Sequence, residues 1–464
     1  MRRGRDLREY RESRIRHKKV ITLSEQRKVA SDKLVNKKKS KTIIVTPDES
    51  AKLIHSDISP ITISSASTKR RPKPPRRAPS GSGRGRAVRS TRTGVVYDTP
   101  SSSPLALSFI TYSDYKCLLT KPVNVCHVIE SLGMGGAQTM MLELVNGLNN
   151  YFGEHTNNFV ICTHHKSQSV NKQMYGSYGI VPEWVYSGDL RHYLESKKID
   201  IVLHHRIAVS MCLKGALPKQ TKYILLNHTW NGITRMNKFT YCDAYVSVCK
   251  FLHNQSVWDK SINQTRKIVI LNGVESDYIS SLHGDDIDGT FKTGRCHRLI
   301  SSKFRADSLN WMNKHIAPVI DGYKHYIIGS SEEAKVLSSK YKWIKYCGPI
   351  LNRDQKMSII KQLDVYFYET FCNEGASVAV LESLACGVPV LAKKLGGTGE
   401  MVTEGVNGFI CPDRNIFELR LKQLSHNPDL LADLKESTKR DFEARLHIKH
   451  AACKYMQLFE SLMI

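Results

Sequence analysis

Beyond about residue 121 the chain alternates short apolar runs with amphipathic stretches. Val123-Asn124-Val125-Cys126-His127-Val128-Ile129 reads as a buried strand. A glycine-rich turn, Gly133-Met134-Gly135-Gly136, follows, and apolar positions then recur at helical spacing from Ala137 to Leu148. Further strands are expected at 158–162, 199–203, 223–226, 244–248 and 267–270. A second series is expected to start at Arg298-Leu299-Ile300 and to continue at 326–329, 343–346, 365–367 and 388–391. Short apolar strands separated by amphipathic helices mean parallel sheets covered on both faces. Two such series predict an α/β chain with two doubly wound, Rossmann-like domains facing across a cleft. The expected boundaries are a first domain at 113–282, a second at 283–445 and a C-terminal helix at 446–464 that packs back on the first domain. The hinge is expected near the loop 275–292. Ligands of such domains sit at the carboxyl ends of the strands.

Residues 1–112 break this pattern. Of 464 residues, 69 are Lys or Arg and 43 are Asp or Glu, a net charge of +26. Residues 1–100 carry +18 of it, from 27 basic and 9 acidic side chains. The stretch Arg5 to Lys39 could form a solvated basic helix. The Pro-, Gly-, Ser- and Arg-rich stretch 60–104 reads as a linker without a packed core. Such an arm suits nucleic acid or an anionic membrane surface, because cations near phosphates release counterions. No apolar run approaches the roughly 18 residues a membrane span needs, and no secretory signal is evident at the N-terminus. The twelve cysteines include no Cys-x-x-Cys pair, which suits a reducing compartment. A cytoplasmic protein, peripheral to a membrane at most, is therefore expected. At 41% hydrophobic residues the chain can bury a sizeable core, which excludes a fibrous repeat or a small disulfide scaffold.

The densest chemistry lies in 373–390. Glu374 and Glu382 stand eight residues apart, the first just before an expected helix and the second two turns inside it. At about 1.5 Å per residue they would be roughly 12 Å apart along the axis. That spacing suits a ligand with hydroxyls at both ends and phosphates between them. Gly375, Ala376 and Ser377 would offer backbone N–H groups and a positive helix end to a pyrophosphate. Glu382 is set in the apolar run Val378 to Ala385, where a carboxylate without a role is costly.

This stretch resembles the Glu-x7-Glu signature of retaining GT-B glycosyltransferases, family 4. Glu130-Ser131-Leu132-Gly133-Met134-Gly135-Gly136-Ala137, Ile270-Leu271-Asn272-Gly273-Val274-Glu275, Gly396-Gly397-Thr398-Gly399-Glu400 and Gly405-Val406-Asn407-Gly408-Phe409 resemble further motifs of that family, in its order, over about residues 122–464. The resemblance implies that Glu382 binds the ribose hydroxyls of a nucleotide and that Glu374 contacts the transferred sugar. Gly375, Ala376 and Ser377 would present N–H groups to phosphate and sugar. Arg298 and Lys303 would neutralise the diphosphate leaving group, and Gly135 and Gly136 would form the first-domain loop near the phosphates. His228, just after a strand, would face the sugar and acceptor, with His204 and His205 as rivals.

The implied reaction transfers a sugar, with retention, from a nucleotide-diphosphate sugar to an acceptor hydroxyl. A UDP- or GDP-sugar is the expected donor, with no cofactor and no metal. Asp286-Ile287-Asp288 fits the Asp-x-Asp pattern of the other major glycosyltransferase fold, but stands in a polar loop and reads as linker. Three departures stand out: Ala376 and Ser377 follow Glu374-Gly375, His297 precedes Arg298 where Gly is usual, and Gln138 replaces a common Glu. The acceptor stays open between a lipid, a glycan, a protein, a small molecule and hydroxylated nucleic-acid bases. A binding protein without activity on the same scaffold is a further alternative.

Overall fold

The computed structural model describes residues 109–163, 172–206, 213, 216–229, 242–255, 266–282 and 289–464. Residues 1–108 of the basic arm and Asp286-Ile287-Asp288 lie outside them, while 109–112, expected as part of the arm, pack on the last helix instead. The first domain runs Val123–Ile129 (β1), Gly136–Phe152 (α1), Thr156–Cys162 (β2), Lys172–Gly176 (α2), Glu183–Trp184 (β3), Leu190–Ser196 (α3), Ile201–Arg206 (β4), Lys222–Asn227 (β5), Ala244–Ser247 (β6), Lys250–Gln255 (α4) and Arg266–Val269 (β7). The second begins with Lys292–Cys296 (β8), Ala306–His315 (α5), Lys324–Ile328 (β9), Glu332–Lys340 (α6), Ile344–Gly348 (β10) and Arg353–Lys361 (α7). It continues with Val365–Tyr368 (β11), Val378–Ala385 (α8), Val390–Ala392 (β12), Thr398–Met401 (α9), Gly408–Ile410 (β13), Arg414–Ser425 (α10) and Pro428–Arg445 (α11). Ile448–Met463 forms the last helix, α12.

The first sheet has the order β3-β2-β1-β4-β5-β6-β7 and the second β10-β9-β8-β11-β12-β13. The recorded strand pairings are parallel. The expectation of two doubly wound sheets is met. Strand order reverses between β1 and β4 in one sheet and between β8 and β11 in the other. Such switch points leave a crevice at the strand ends where loops diverge.

The second series does not start at 298–300. Its first strand is β8, and Arg298 lies in the loop after it. Lys292-Thr293-Gly294-Arg295-Cys296 hides as a strand because its buried side chains are polar. Thr293 Oγ1 pairs with Tyr323 Oη at 2.6 Å and His325 Nδ1 at 2.7 Å, and Arg295 donates to His325 and Ser308. The strands β3 and β13 also went unread, being two and three residues long.

Helix α12 packs on α1 of the first domain, with Ile448, Ala452, Tyr455 and Phe459 in one cluster with Leu144, Leu148 and Phe152. Phe109 and Tyr112 join this cluster, and the Ile110 N–H donates to Gln457 Oε1 at 2.8 Å. The two chain crossings between the domains run side by side: Val274 N donates to Leu446 O at 3.3 Å and Ile448 N to Val274 O at 3.0 Å. A further apolar cluster spans both domains, joining Met140, Val248 and Leu252 to Ala376, Val380 and Leu384. Each Val, Leu or Met side chain there contributes about 1.5–3 kcal/mol on burial. No helix among the described residues is long and apolar enough to cross a membrane.

Candidate functional site

In the second domain the loops after β8 and β11 meet. Lys303 and Phe304 donate their N–H groups to Ile300 O, both at 2.8 Å, which turns the first loop. Lys303 Nζ then forms an ion pair with Glu374 Oε1, each side chain 17% exposed. The other oxygen of Glu374 accepts the Tyr368 hydroxyl, which also lies 2.9 Å from Ser377 Oγ. Burial and the Glu374 carboxylate push the Tyr368 phenol well above its usual range, so it stays a donor. His297 stacks edge-on against Tyr368, with ring centroids 5.9 Å apart. Burial and the cationic Arg295 lower His297 to about 3, so it braces the site as a neutral ring. Arg298 is exposed and makes no ion pair among the described residues.

Glu382 is not two turns inside the helix. Helix α8 begins at Val378, after an extended Ser377, so Glu382 stands in its second turn. The rise of a continuous helix therefore does not measure its separation from Glu374. Glu382 is buried against α7, where its Oε1 meets Lys356 Nζ at 2.5 Å. Burial alone would lower the Lys356 ammonium, but the Glu382 carboxylate outweighs it and the net shift is upward. One turn earlier on α7, Arg353 reaches into the first domain. It holds Glu143 of α1 at 3.0 and 3.1 Å, between the rings of Tyr178 and Tyr278, 4.6 and 4.0 Å away.

The first domain brings its own loops to the same place. Gly135 caps α1 in an extended conformation, and Gln138 steadies the turn by donating to Ser131 O at 3.0 Å. A Cβ on Gly136 would lie 3.7 Å from Val378 Cγ2, so the starts of α1 and α8 are neighbours. Neither helix has an acidic residue in its first turn, and no side chain caps either. Two positive helix ends thus share one locus, which favours an anion. Gly375 is as close: a Cβ there would stand 2.8 Å from Leu252 Cδ1 and 2.9 Å from His228 O. Across the same seam Glu400 of α9 accepts the Lys250 and Phe251 N–H groups at the start of α4, both at 2.7 Å.

His228 Nε2 lies 3.2 Å from His205 Nδ1, so these two imidazoles belong to one arrangement. His204 turns to the opposite face of β4 and bonds the Tyr223 hydroxyl at 2.8 Å. The structure thus gathers Gly136, His228, Lys303, Glu374, Gly375, Ser377 and the start of α8, with Glu382 one helical turn deeper. Ala376 faces inward, in the cluster that spans both domains. Lys356 and Tyr368 were missed. Lys356 sits in Arg353-Asp354-Gln355-Lys356, which reads as a solvated helix face, and Tyr368 ends an apolar strand.

Residues 314–441 match the family model of glycosyl transferases group 1. An uncharacterised glycosyltransferase of Methanocaldococcus jannaschii is 25% identical over 287 residues, spanning 59% of this chain and 78% of that protein. A second from the same organism is 23% identical over 241 residues, 48% of this chain and 60% of its own length. Among solved structures, a glycosyltransferase from Rickettsia africae superposes with a TM-score of 0.59 at 13% identity, covering 74% of this chain and 99% of that one. HepE of Anabaena, solved with UDP and glucose, gives 0.57 at 13% identity, covering 73% and 100%. The two domains thus have the GT-B fold, and the family match supports a glycosyltransferase.

Proposed function

We propose that the chain transfers a sugar from a nucleotide-diphosphate sugar to an acceptor hydroxyl, with retention of anomeric configuration. The observation that carries this reading is the meeting of two uncapped helix starts, at Gly136 and Val378, beside Lys303 and Glu374. A diphosphate sits between the helix ends, where backbone N–H groups and dipoles meet its charge. Glu382, oriented by Lys356, accepts hydrogen bonds from the ribose hydroxyls. Glu374, oriented by Tyr368, receives those of the sugar. Lys303 leaves its pair with Glu374 for the diphosphate, and Arg298 supplies a second cation from the same loop.

The bond from the anomeric carbon to the diphosphate breaks while one forms to the acceptor oxygen on the same face. The acceptor proton passes to the departing phosphate. Negative charge grows on that phosphate in the transition state, so cations fixed there lower the barrier. This scheme calls on no covalent carboxylate and on no metal. A UDP or GDP sugar is the donor we favour, and the UDP in HepE and in the pneumococcal O-GlcNAc transferase GtfA, which share the fold, supports the first of these. Calorimetric titration of UDP, GDP and ADP tests the site. One nucleotide should bind the wild type and bind Glu382→Gln at least about tenfold more weakly, the scale of a lost charged hydrogen bond. Equal affinity for both proteins would overturn the ribose assignment.

A further inference from the structure

Three histidines lie in a row beneath the first-domain side of the site. His127 is on β1, His205 on β4 and His228 just after β5, on three adjacent strands of the sheet. The ring centroids of His127 and His205 lie 5.3 Å apart and those of His205 and His228 5.4 Å apart, with their planes 26° and 14° from parallel. Their nitrogens meet end to end, His127 Nδ1 to His205 Nε2 at 3.1 Å and His205 Nδ1 to His228 Nε2 at 3.2 Å. At the far end His127 Nε2 meets Asn158 Oδ1 at 3.1 Å. Both hydrogens of the Asn158 amide are used, on Asn149 Oδ1 at 2.8 Å and Thr156 Oγ1 at 3.0 Å.

That last contact fixes the direction of the whole row. An amide oxygen can only accept, so His127 carries its hydrogen on Nε2. A neutral imidazole has one hydrogen, which leaves His127 Nδ1 bare, so His205 Nε2 must donate to it. His205 Nδ1 is then bare and accepts from His228 Nε2. His228 is left with a lone pair on Nδ1. Burial keeps the rings neutral, lowering His127 and His228 to about 4 and holding His205 well below its usual value.

We propose that Asn158, His127 and His205 are positioning residues that hold His228 as its Nε2–H tautomer, so that its Nδ1 can only accept a hydrogen bond from a substrate hydroxyl. The proposal rests on the reading that His228 faces the substrate. A ligand oxygen without a hydrogen, such as a phosphate oxygen, gains nothing from Nδ1 in this state. The row thereby favours a hydroxyl, of the sugar or of the acceptor, at that point of the cleft.

The test reads the tautomer directly, by two-bond proton–nitrogen correlation on protein labelled with 15N-histidine. The wild type should show His228 protonated at Nε2. Asn158→Leu removes the anchor and His205→Leu interrupts the row; each should give mixed His228 tautomers and lower turnover about tenfold, with the KM for donor little changed. His205→Gln keeps a donor and an acceptor at opposite ends of one planar group. It should restore the wild-type tautomer and most of the turnover, which bare repair of packing would not do. A wild-type His228 protonated at Nδ1 would overturn the proposal. So would an unmoved tautomer in both leucine variants, or, should His205→Leu fail to fold, in Asn158→Leu alone. The spectra need no substrate. A correctly set tautomer in a protein that binds no nucleotide would sink the transferase reading and leave the row standing.

Discussion

One methyl group at Gly375 would collide with the first domain. Its carbon would fall within 3 Å of Leu252 and of the His228 carbonyl, closer than packed atoms approach. Gly375→Ala is therefore expected to wedge the seam, destabilising by about 1–3 kcal/mol, and to weaken nucleotide binding as well. Thermal unfolding with and without nucleotide checks this, and a variant with unchanged Tm and affinity would contradict the close approach. The residues that bear charge in the site were legible for different reasons. Glu382 stood out because a carboxylate inside an apolar run needs a partner, and Glu374 by its spacing from it. The partner of Glu382 did not stand out. Lys356 lies 26 positions upstream, on a helix whose exposed and inward cations look alike in sequence. Tyr368 was hidden for the opposite reason, as one more ring at the end of a buried strand. Helix packing brings Lys356 to Glu382, and the turn after β11 brings Tyr368 to Glu374, six residues on.

Elements show the same division. Strands such as β1, β5 and β11 are built on mostly apolar runs and could be read nearly to the residue. β8 could not, because its inward side chains are satisfied by polar partners from neighbouring elements rather than by apolar ones. The start of α8 was placed too early for a related reason. Gly375 to Ser377 was expected as the start of the helix, yet Gly397 N bonds Glu374 O at 2.9 Å and holds that segment against the loop before α9. The helix α4 depends on the other domain for its first turn, where Glu400 takes two of its free N–H groups. Glu400→Gln keeps the shape but removes both the charge that favours a helix start and one of the two acceptors. The expected loss is about 1 kcal/mol, or roughly 1–2 °C in Tm for a body of this size. An unchanged Tm would mean that α4 is held by its apolar contacts with the second domain alone.

At the scale of the whole molecule the two chain crossings form one joint. Glu275 and Asp277 leave the first domain beside His447, which returns to it, at 3.1 and 3.2 Å from His447 Nε2. Burial alone would raise the Glu275 carboxyl, but hydrogen bonds from His447 and the Asp277 amide outweigh it and bring it to about 2. Burial alone would lower His447, and the same carboxylate reverses the sign. The Glu275 contribution is complete above its unfolded value, about 4.3, and is lost as pH falls through about 2. The His447 contribution is complete below about 6.5 and is lost as pH rises through its higher folded value. Wild type should therefore exceed His447→Gln in Tm most between about pH 4.5 and 6.5, and the gap should close on the alkaline side; a constant gap would contradict a charged joint. Sugar transfer between the facing helix starts, beside Glu374 and Glu382, is the central proposal. The measurement that tests it most directly is nucleotide release from a panel of UDP-, GDP- and ADP-sugars by wild type, Glu382→Ala and Lys303→Ala. Slow release from one donor, lost in both variants, is the predicted result. Release from none of them, with no nucleotide bound by any of the three proteins, would contradict it.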